Sequence, residues 1–494
     1  MKKGQIVRGH VIAMDFPNKG FVEVRPEDNE GITEPEKLRV NNAILGQVVE
    51  CSVKKARKNK AEGRLLSVIS PSLLEKKEDY CPHFGECGGC LYQKIPYDEQ
   101  TALKAEQIRR LLEPVIGEEF TNMFEGVIAS PKEEYYRNKM EFSFGDAYQN
   151  GPLALGMHKR GSFYDIVNVE GCRICAEDMS EVLRITLAYF EKENISYYHR
   201  MRHNGYLRHL LVRQAEATGE ILIDLVTSGE APSYLGTDIN GKTGEEADFS
   251  LGMKTIQKSE DDLLEGWKNA LLEGRYKGKI TGILHTKNTR EADVVEDHGT
   301  SILYGADYFD EILLGLKFHI TPFSFFQTNS LGAEVLYMKA RDYIKSTFTG
   351  GACVYDLYSG TGTIAQIMAD AADKVIGVEI VEEAVEAAKE NAKENGLANC
   401  EFIAGDVLKV LDDIKETPDF IILDPPRDGV NPKALRKILN YGVNSMIYIS
   451  CKPTSLARDL PSFFEAGYKV QRISAVDMFP STANCEVVCL LTKS

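Results

Sequence analysis

Residues 352–363 read ACVYDLYSGTGT, and these twelve residues are the clearest indication of the fold class. Its first half, Ala352–Leu357, is short and apolar, as strands are, and it carries Asp356 near its end. A glycine-rich turn follows, and the apolar run Ile364–Ala372 after it has the composition of a helix. A strand that passes through glycine directly into a helix is typical of an open α/β sheet, where ligands bind beyond the carboxyl ends of the strands.

The chain after this turn continues to alternate strands with helices. Helices are predicted over Glu382–Asn395 and Thr454–Phe464, and Gly396 marks the end of the first. Six further strands are predicted over Lys374–Ile380, Glu401–Ala404, Phe420–Leu423, Met446–Ile449, Lys469–Val476 and Glu486–Leu491. This alternation predicts an α/β Rossmann-like domain over residues 321–494, with a seven-stranded, mostly parallel sheet that ends in a hairpin.

The glycine-rich turn indicates a nucleoside cofactor. Glu379 lies 23 positions after Asp356 at the end of the next predicted strand, where a carboxylate can accept both ribose hydroxyls. The turn lacks the third glycine of a dinucleotide fingerprint, which favours S-adenosylmethionine, a cofactor without phosphate. The alternative for Glu379 is a solvated strand end. Gly360 in the turn and Asp406 after the third strand complete this edge of the predicted sheet.

A cysteine at the end of a strand is a possible nucleophile. The apolar run Met446–Ile449 leads to Cys451, and a Lys-Pro turn follows. The alternative is a buried structural cysteine, which is the commoner role of this residue. Asp424 begins the sequence Asp-Pro-Pro-Arg at the end of another strand, and its prolines fix the backbone there. We interpret it as an active-site wall, although a rigid turn would have the same composition.

The N-terminal residues 1–70 predict a small β-barrel. Short β-branched segments at Gln5–Ile12, Gly20–Val24, Gly46–Lys54 and Gly63–Ile69 are separated by Gly, Pro and Asn. Five-stranded barrels of this OB-like kind often bind single-stranded nucleic acid. A basic run could contact phosphate or form a solvated hairpin tip, and it comprises Lys54, Lys55, Arg57, Lys58 and Lys60.

Three cysteines follow the charged linker after the barrel. Cys81, Cys87 and Cys90 are separated by five and then two residues, and glycines between them allow the backbone to wrap a metal centre. Zinc and iron–sulfur clusters both use four thiolates, and Cys172 and Cys175 are the candidates for the fourth. The alternative is a set of unrelated free cysteines. The spacing favours a metal centre.

The remaining residues form a mixed α+β central domain, which we expect to span residues 71–320. A helix is predicted from Pro96 to Leu112, and the helical stretch near 96–125 could pack on the catalytic domain. Residues 228–280 have the composition of an insertion and include the only tryptophan, Trp267. Ser259, followed by acids, is a candidate N-cap. We interpret this insertion as a packing element.

The composition is that of a globular protein. The chain has 494 residues and a net charge of −16, which argues mildly against a nucleic-acid partner. No apolar run approaches the ~18 residues that cross a bilayer, and the first residues lack a signal-peptide core. We therefore expect a cytoplasmic protein with no membrane association.

Five motifs together resemble one enzyme family, the S-adenosylmethionine-dependent RNA 5-methyluridine methyltransferases. They are FFQTN at 325–329, DLYSGTG at 356–362, DPPR at 424–427, SCKPTSLARD at 450–459, and DMFP at 477–480 followed by Glu486. The cysteine cluster is similar to that of the iron–sulfur members. With the N-terminal barrel, which resembles a TRAM domain, the chain looks most like the branch that acts on 23S ribosomal RNA.

The resemblance implies a role for each candidate residue. Cys451 would add to carbon 6 of uracil, and Glu486 would remove the proton from carbon 5. Gln327, Tyr358, Glu379 and Asp424 match cofactor-contacting positions, and Asp424 could instead contact the uracil ring. The metal would be a [4Fe–4S] cluster held by Cys81, Cys87, Cys90 and Cys172, with Cys175 as a rival ligand and zinc as a rival metal. The target base would be flipped out or lie in a single strand.

The sequence departs from the family at several positions, including the Gly-Cys-Arg sequence around Cys172. Ser481 and Asn484 stand where the family often has histidines, and Lys452 stands where asparagine is common. Three alternatives therefore stay open: a tRNA uridine methyltransferase, an enzyme for another nucleobase, and a non-catalytic RNA-binding or assembly factor. We expect a monomer without an obligate protein partner.

Overall fold

A computed structural model describes residues 1–57, 60–232, 258–292, 294–347, 351–411 and 413–493. Lys58 of the basic run and residues 233–257 of the predicted insertion lie outside these ranges. The chain divides into two compact units. The first comprises residues 1–80, 91–133 and 332–494, and the second comprises residues 81–90 and 134–331.

The elements follow one another along the chain. The first group is β1 (Ile6–Asp15), β2 (Lys19–Val24), β3 (Glu36–Asn41), β4 (Val48–Arg57), β5 (Lys60–Ser70), α1 (Tyr97–Ile116), α2 (Phe120–Met123) and β6 (Phe124–Ile128). The middle group is β7 (Lys139–Asp146), β8 (Leu153–His158), β9 (Ile166–Asn168), α3 (Asp178–Lys192), β10 (Leu207–Gln214), β11 (Glu220–Thr227), α4 (Glu260–Leu272), β12 (Lys279–Lys287), β13 (Thr300–Gly305), β14 (Phe309–Leu313) and β15 (Leu316–Ile320).

The last group contains most of the α/β alternation. It comprises α5 (Ser330–Thr347), β16 (Cys353–Leu357), α6 (Thr363–Met368), β17 (Lys374–Glu379), α7 (Glu382–Glu394), β18 (Cys400–Ala404), α8 (Val407–Val410), β19 (Phe420–Leu423), α9 (Pro432–Asn440), β20 (Ser445–Ser450), α10 (Pro453–Glu465), β21 (Tyr468–Val476) and β22 (Glu486–Lys493).

The N-terminal strands close into a barrel in the order β1-β2-β3-β5-β4, which confirms the predicted five-stranded barrel. Burial alternates along β2, where Gly20, Val22 and Val24 face inward. The sequence prediction missed β3. This strand alternates charged and apolar residues, and only Leu38 and Val40 are buried, so it lacks the apolar density on which the prediction relied.

The α/β sheet has eight strands in the order β18-β17-β16-β19-β20-β22-β21-β6. The predicted seven strands are all present, but the prediction of a seven-stranded sheet is wrong because β6 pairs in parallel with β21 at the edge. β6 has only five residues, FEGVI, and most of them are partly buried, so its sequence shows no alternation of apolar and polar residues. Its pairing with a strand some 350 residues later is a tertiary contact that local sequence does not encode.

Residues 91–133, which the predicted central domain included, belong to the same unit as the barrel and the eight-stranded sheet. Helix α1 buries Leu103, Ile108 and Leu112. Ile108 and Leu112 join the hydrophobic core of the sheet, and Leu103 joins that of the barrel. The domain limits 1–70, 71–320 and 321–494 stay predictions.

Within this unit, the barrel contributes a side chain to the hydrophobic core of the sheet, and the sheet domain contributes one to the core of the barrel. Phe16, at the turn between β1 and β2, is buried in the sheet core together with Tyr448. In the other direction Ala483, just before β22, is buried in the barrel core with Tyr92. Each core is therefore completed by a side chain from the other element.

The second unit is built on a seven-stranded sheet in the order β13-β12-β11-β10-β7-β8-β9. Helices α3 and α4 pack together, and buried Trp267 donates a hydrogen bond from Nε1 to Thr186 Oγ1 at 3.1 Å. Ser259 caps α4 as predicted, because its Oγ accepts from the Asp262 backbone N–H at 3.1 Å. No helix in the described ranges is long and apolar enough to cross a membrane.

Candidate active site

The strand register brings the predicted catalytic residues together at the carboxyl ends of the central parallel strands of the eight-stranded sheet. Leu357 pairs with Leu423, and Leu423 pairs with Tyr448. Tyr358 and Asp424 directly follow the first two of these residues, and Cys451 follows the end of the strand that contains Tyr448. The antiparallel pairing of Ser450 with Val487 then places Cys451 beside Glu486, the first residue of β22.

The Cys451 side chain is half-buried at the end of β20. Burial is the main reason that the pKa of its thiol rises to about 11, and the charges of Glu486 and Asp424 raise it further. The Arg427 guanidinium acts in the opposite direction. The thiol is therefore protonated near neutral pH, and thiolate formation needs a proton acceptor or added positive charge.

Glu486 is only 2% exposed. Burial raises the pKa of its carboxyl to about 8, the Asp424 charge adds to this effect and Arg427 opposes it. Its Oε2 has no hydrogen-bond partner among the described residues. A buried carboxyl oxygen without a partner costs free energy, so it is rarely kept without a function. This carboxyl has the burial and pKa of a group that exchanges a proton with a bound molecule.

Two further carboxyls lie at the same carboxyl ends of the strands, those of Asp356 and Asp424. Burial raises the pKa of Asp424 to about 7. Burial, and then the charge of Asp424, raise the pKa of Asp356 to about 8. Asp356 Oδ2 accepts a hydrogen bond from the Ala365 backbone N–H at 3.0 Å, which fixes the start of α6. Asp356 thus supports the glycine-rich turn, whereas Asp424 stands beside the Cys451 thiol.

The glycine-rich turn leaves space for a ligand at Gly360. This residue has φ +54°, and a Cβ built there would meet no heavy atom within 4 Å. At Gly362, by contrast, a Cβ would lie 2.5 Å from the Phe402 ring. Glycine is needed at 362 for packing, while the open space at 360 lets a ligand approach the backbone.

Glu379 supports this turn. Its Oε2 accepts from the Gly360 backbone N–H at 3.0 Å, and its Oε1 accepts from the Ile380 N–H at 2.8 Å and the Val381 N–H at 3.1 Å. The carboxylate is partly exposed, so it is held in place with lone pairs left for a ligand hydroxyl.

Tyr358 and Asp406 complete the edge. Tyr358 has φ +72°, a left-handed conformation that costs an aromatic residue free energy and that clusters at functional sites. Burial, followed by the charge of Asp406, raises the pKa of its phenol to about 12. Asp406 caps α8 by accepting from the Leu408 N–H at 2.9 Å. The last predicted cofactor residue, Gln327, lies in the second unit, where its backbone oxygen accepts from Asn138 Nδ2 at 3.0 Å.

Comparison with curated proteins identifies the family. An uncharacterized RNA methyltransferase from Caldanaerobacter subterraneus subsp. tengcongensis is 44% identical over all of both chains, and one from Clostridium tetani is 43% identical over 100% of this chain and 99% of its own. The chain belongs to the RNA methyltransferases.

Two further comparisons concern the catalytic domain and the fold. The family described as a methyltransferase domain matches residues 349–481 of this RNA methyltransferase. The Pyrococcus abyssi tRNA (uracil-54, C5)-methyltransferase, solved in complex with S-adenosyl-L-homocysteine, has the same fold with a TM-score of 0.68. That likeness covers 98% of this chain and 100% of the other at 23% identity.

The second unit of the RNA methyltransferase brings several of its cysteines near one another. The Cys172 thiol is hydrogen-bonded to those of Cys81 and Cys175, and the hydrogen bond from Cys172, together with burial, raises the pKa of Cys81. Burial raises the pKa of Cys87, and the nearby charge of Cys81 adds to it. No group of three or more His, Cys, Asp or Glu within the described ranges is arranged to hold a metal ion. The donor chemistry fits a thiolate-bound metal, but the side chains are not closed around one centre.

Hydrogen bonds join the segment that contains Cys87 and Cys90 to residues at and just after the end of β8. Arg160 Nη2 donates to the Cys90 oxygen at 2.5 Å and to the Cys87 oxygen at 3.4 Å. The Gly88 N–H donates to the His158 oxygen at 3.1 Å. The Cys87 thiol in turn accepts a hydrogen bond from the Gly89 N–H at 3.4 Å.

Sequence reasoning missed the residues that position the Arg427 loop. Asp459 on α10 accepts, through Oδ2, from the Tyr448 hydroxyl at 2.8 Å and from the Val430 N–H at 3.1 Å. Ser455 Oγ donates to the Arg427 oxygen at 2.7 Å. Ser455 and Asp459 are four residues apart, so they share one helix face, and this spacing directly after Cys451 was the available signal.

Proposed function

We propose that this RNA methyltransferase transfers a methyl group to carbon 5 of a uridine, using a cysteine nucleophile and a carboxyl base. The observation that carries the proposal is the pair formed by Cys451 and Glu486: a thiol beside a buried carboxyl whose Oε2 has no partner in the described part of the chain. Carbon 5 of uracil is a poor nucleophile, and only addition to carbon 6 makes it reactive. The cysteine supplies the nucleophile for carbon 6, and the adjacent carboxylate can take the proton that carbon 5 must lose.

Residues of this chain can carry out the addition to carbon 6 and the removal of the carbon 5 proton. The Cys451 thiol gives its proton to water, and the thiolate forms a bond to carbon 6. The electron pair of the carbon 5–carbon 6 double bond moves into an enolate, which makes carbon 5 nucleophilic. S-adenosylmethionine, when bound, supplies the methyl group that carbon 5 takes. Glu486 then removes the proton from carbon 5, and the sulfur–carbon 6 bond breaks to restore the ring and free the thiolate. Arg427 stabilises negative charge at the thiolate, because its guanidinium lowers the pKa of that thiol.

The open turn is our proposed S-adenosylmethionine site. Gly360 offers unobstructed backbone, and Glu379 and Asp406 present carboxylate oxygens suited to ribose hydroxyls and an amine. Tyr358 supplies a half-buried ring. Asp424 belongs to the proposed set or contacts the uracil ring. Gln327 is proposed as a cofactor residue only because it matches a cofactor-contacting position of the family that the motifs resemble.

We further propose a [4Fe–4S] cluster held by Cys81, Cys87, Cys90 and Cys172. The hydrogen bond between Cys81 and Cys172 supports it, because it joins the two cysteine segments. No step of the reaction requires electron transfer, so the cluster would shape this unit or contact RNA. We propose 23S ribosomal RNA as the substrate and the closed barrel as a TRAM-like RNA-binding module.

The test offers labelled S-adenosylmethionine with unmodified 23S RNA fragments or tRNA to protein purified without oxygen. The labelled nucleoside is then identified after digestion. Label in 5-methyluridine from the ribosomal fragments is the expected result. Label from tRNA alone would keep the chemistry and reject the ribosomal substrate. Binding of cofactor and RNA without any label would favour a non-catalytic RNA-binding factor.

A further inference from the structure

Helix α1 buries three polar side chains on one face. Gln100, Lys104 and Gln107 are each at most 2% exposed, and their spacing of four and then three residues places them in one row along the helix. Buried polar groups cost free energy unless each has a partner. The partners of these three residues show what the row holds in place.

Lys104 holds the start of the loop that leads to Glu486. This loop, residues 477–485, joins β21 to β22. Lys104 Nζ donates to Asp477 Oδ1 at 2.6 Å and to the Phe479 oxygen at 3.1 Å, and both charged side chains are fully buried. A buried ion pair gains little net stability because desolvation offsets the attraction, so its main effect here is to fix the geometry of the loop.

Gln100 holds the middle of the same loop. Its Oε1 accepts from the Ser481 N–H at 2.8 Å, and its Nε2 donates to the backbone oxygens of Tyr92 at 3.2 Å and Ile95 at 2.9 Å. The Ser481 oxygen accepts from the N–H groups of Leu91 at 2.9 Å and Tyr92 at 3.0 Å. Ser481 has φ +64°, a conformation that costs a non-glycine residue free energy and persists only where its surroundings enforce it. Gln100 and the chain around Tyr92 supply that restraint.

The restrained loop sets the position of Glu486. Val476 and Glu486 pair directly across β21 and β22, so the loop is the connection that closes this hairpin. Cys485, the last residue of the loop, is fully buried in the core of the sheet. The Glu486 Oε2 atom has no hydrogen-bond partner within the described ranges, so the location of that atom follows from the backbone and the packing around it.

We propose that Gln100 and Lys104 are positioning residues for the carboxyl base, and that they act on Glu486 through the 477–485 loop. This inference rests on the proposed function, in which Glu486 removes the proton from carbon 5. Proton transfer needs the two groups within hydrogen-bond reach, and a misplacement of about 1 Å can slow a reaction by ~10²-fold. Loss of the Gln100 contact should therefore slow proton removal, whereas Cys451 directly follows β20 and is not part of this loop.

Gln107 offers a matched control on the same helix. Like Gln100, it is buried, accepts one hydrogen bond from a backbone N–H at 2.8 Å and donates two, but the N–H that it accepts from is that of Asn18, at the turn between β1 and β2. Methionine at either position keeps the length of the side chain and removes its hydrogen bonds. Gln100→Met and Gln107→Met should therefore lower the Tm by similar amounts.

The assay incubates each variant with S-adenosylmethionine and the labelled RNA that the wild type methylates, and follows the covalent complex on a denaturing gel. In Gln100→Met the complex should form as fast as in the wild type but release methylated RNA up to ~10²-fold more slowly, so that it accumulates. Gln107→Met should release RNA as the wild type does. Gln100→Asn is the second variant and should also accumulate the complex, because its shorter side chain stays polar but withdraws the acceptor from Ser481.

The outcomes separate this inference from the proposed function. Retention of RNA confined to the Gln100 variants would support the positioning role. Normal release by both of these variants, with 5-methyluridine formed by the wild type, would overturn the positioning role and keep the proposed function. Equal slowing in Gln107→Met, or equal slowing of formation and release in Gln100→Met, would indicate a general loss of structure and would also overturn it. No 5-methyluridine from the wild type would overturn the proposed function and the positioning role together.

Discussion

Replacement of Glu486 by glutamine tests the carboxyl base most directly. Glutamine keeps the shape of the side chain but cannot take the proton from carbon 5. Methyl transfer should still occur, after which the sulfur–carbon bond cannot break, and the RNA should stay covalently attached to the protein. General-base catalysis contributes roughly 10²–10⁴-fold, so release of the methylated RNA should slow by about that factor.

The same substitution should change the pH dependence of stability. The pKa of Glu486 is about 8 in the folded protein and ordinarily 4.5, so the folded state favours the protonated acid. The stability due to this acid is complete below pH 4.5 and is lost as the pH rises to 8. At ~1.4 kcal/mol per pKa unit, the wild type loses at most about 5 kcal/mol of its free energy of unfolding over this pH range. Glutamine does not ionise, so the variant keeps its stability. The Tm of Glu486→Gln relative to wild type should therefore rise between pH 5 and pH 9.

The assay is a denaturing gel of protein incubated with labelled RNA and S-adenosylmethionine, run beside pH-dependent thermal unfolding. Glu465→Gln, at the exposed end of α10, is the control and should match the wild type in both. Normal turnover by Glu486→Gln without a retained complex would refute the assignment of the base. A Tm difference that is independent of pH would refute the argument from burial.

Three other predictions concern the thiol, the turn and the cysteine cluster. Cys451→Ala should abolish both methylation and the covalent complex, since carbon 5 is then never activated; residual methylation above background would contradict the mechanism. Gly360→Ala should lower the Tm slightly, because a φ of +54° strains alanine, and should weaken S-adenosylmethionine binding in calorimetry. Gly362→Ala should lower the Tm more, because its Cβ would also lie 2.5 Å from a ring; equal effects on the Tm would contradict the open turn. Cys172→Ser should lose bound iron while Cys175→Ser retains it, as measured by iron and sulfide content after anaerobic purification; the reverse result would make Cys175 the ligand.

The sequence predicted the α/β sheet well because each strand between 353 and 476 is a compact apolar run followed by a turn or helix signal. It could not predict that Cys451 and Glu486 are neighbours, because 35 residues separate them and only the antiparallel register of β20 with β22 brings them together. The motifs supplied this pair through family resemblance rather than through geometry.

Other features depend on contacts that local sequence does not encode. β6 has no periodicity, and it becomes a strand because β21 provides an edge for it. The elevated pKa of Glu486 depends on burial and on Asp424, which arrives from a different strand.

The exchange of Phe16 and Ala483 between the two cores has a consequence for how deletions are interpreted. Removal of the barrel would open a hole in the catalytic core where Phe16 lies and would expose Ala483 just ahead of Glu486. Inactivity of such a truncated protein would report lost folding cooperativity rather than lost RNA affinity.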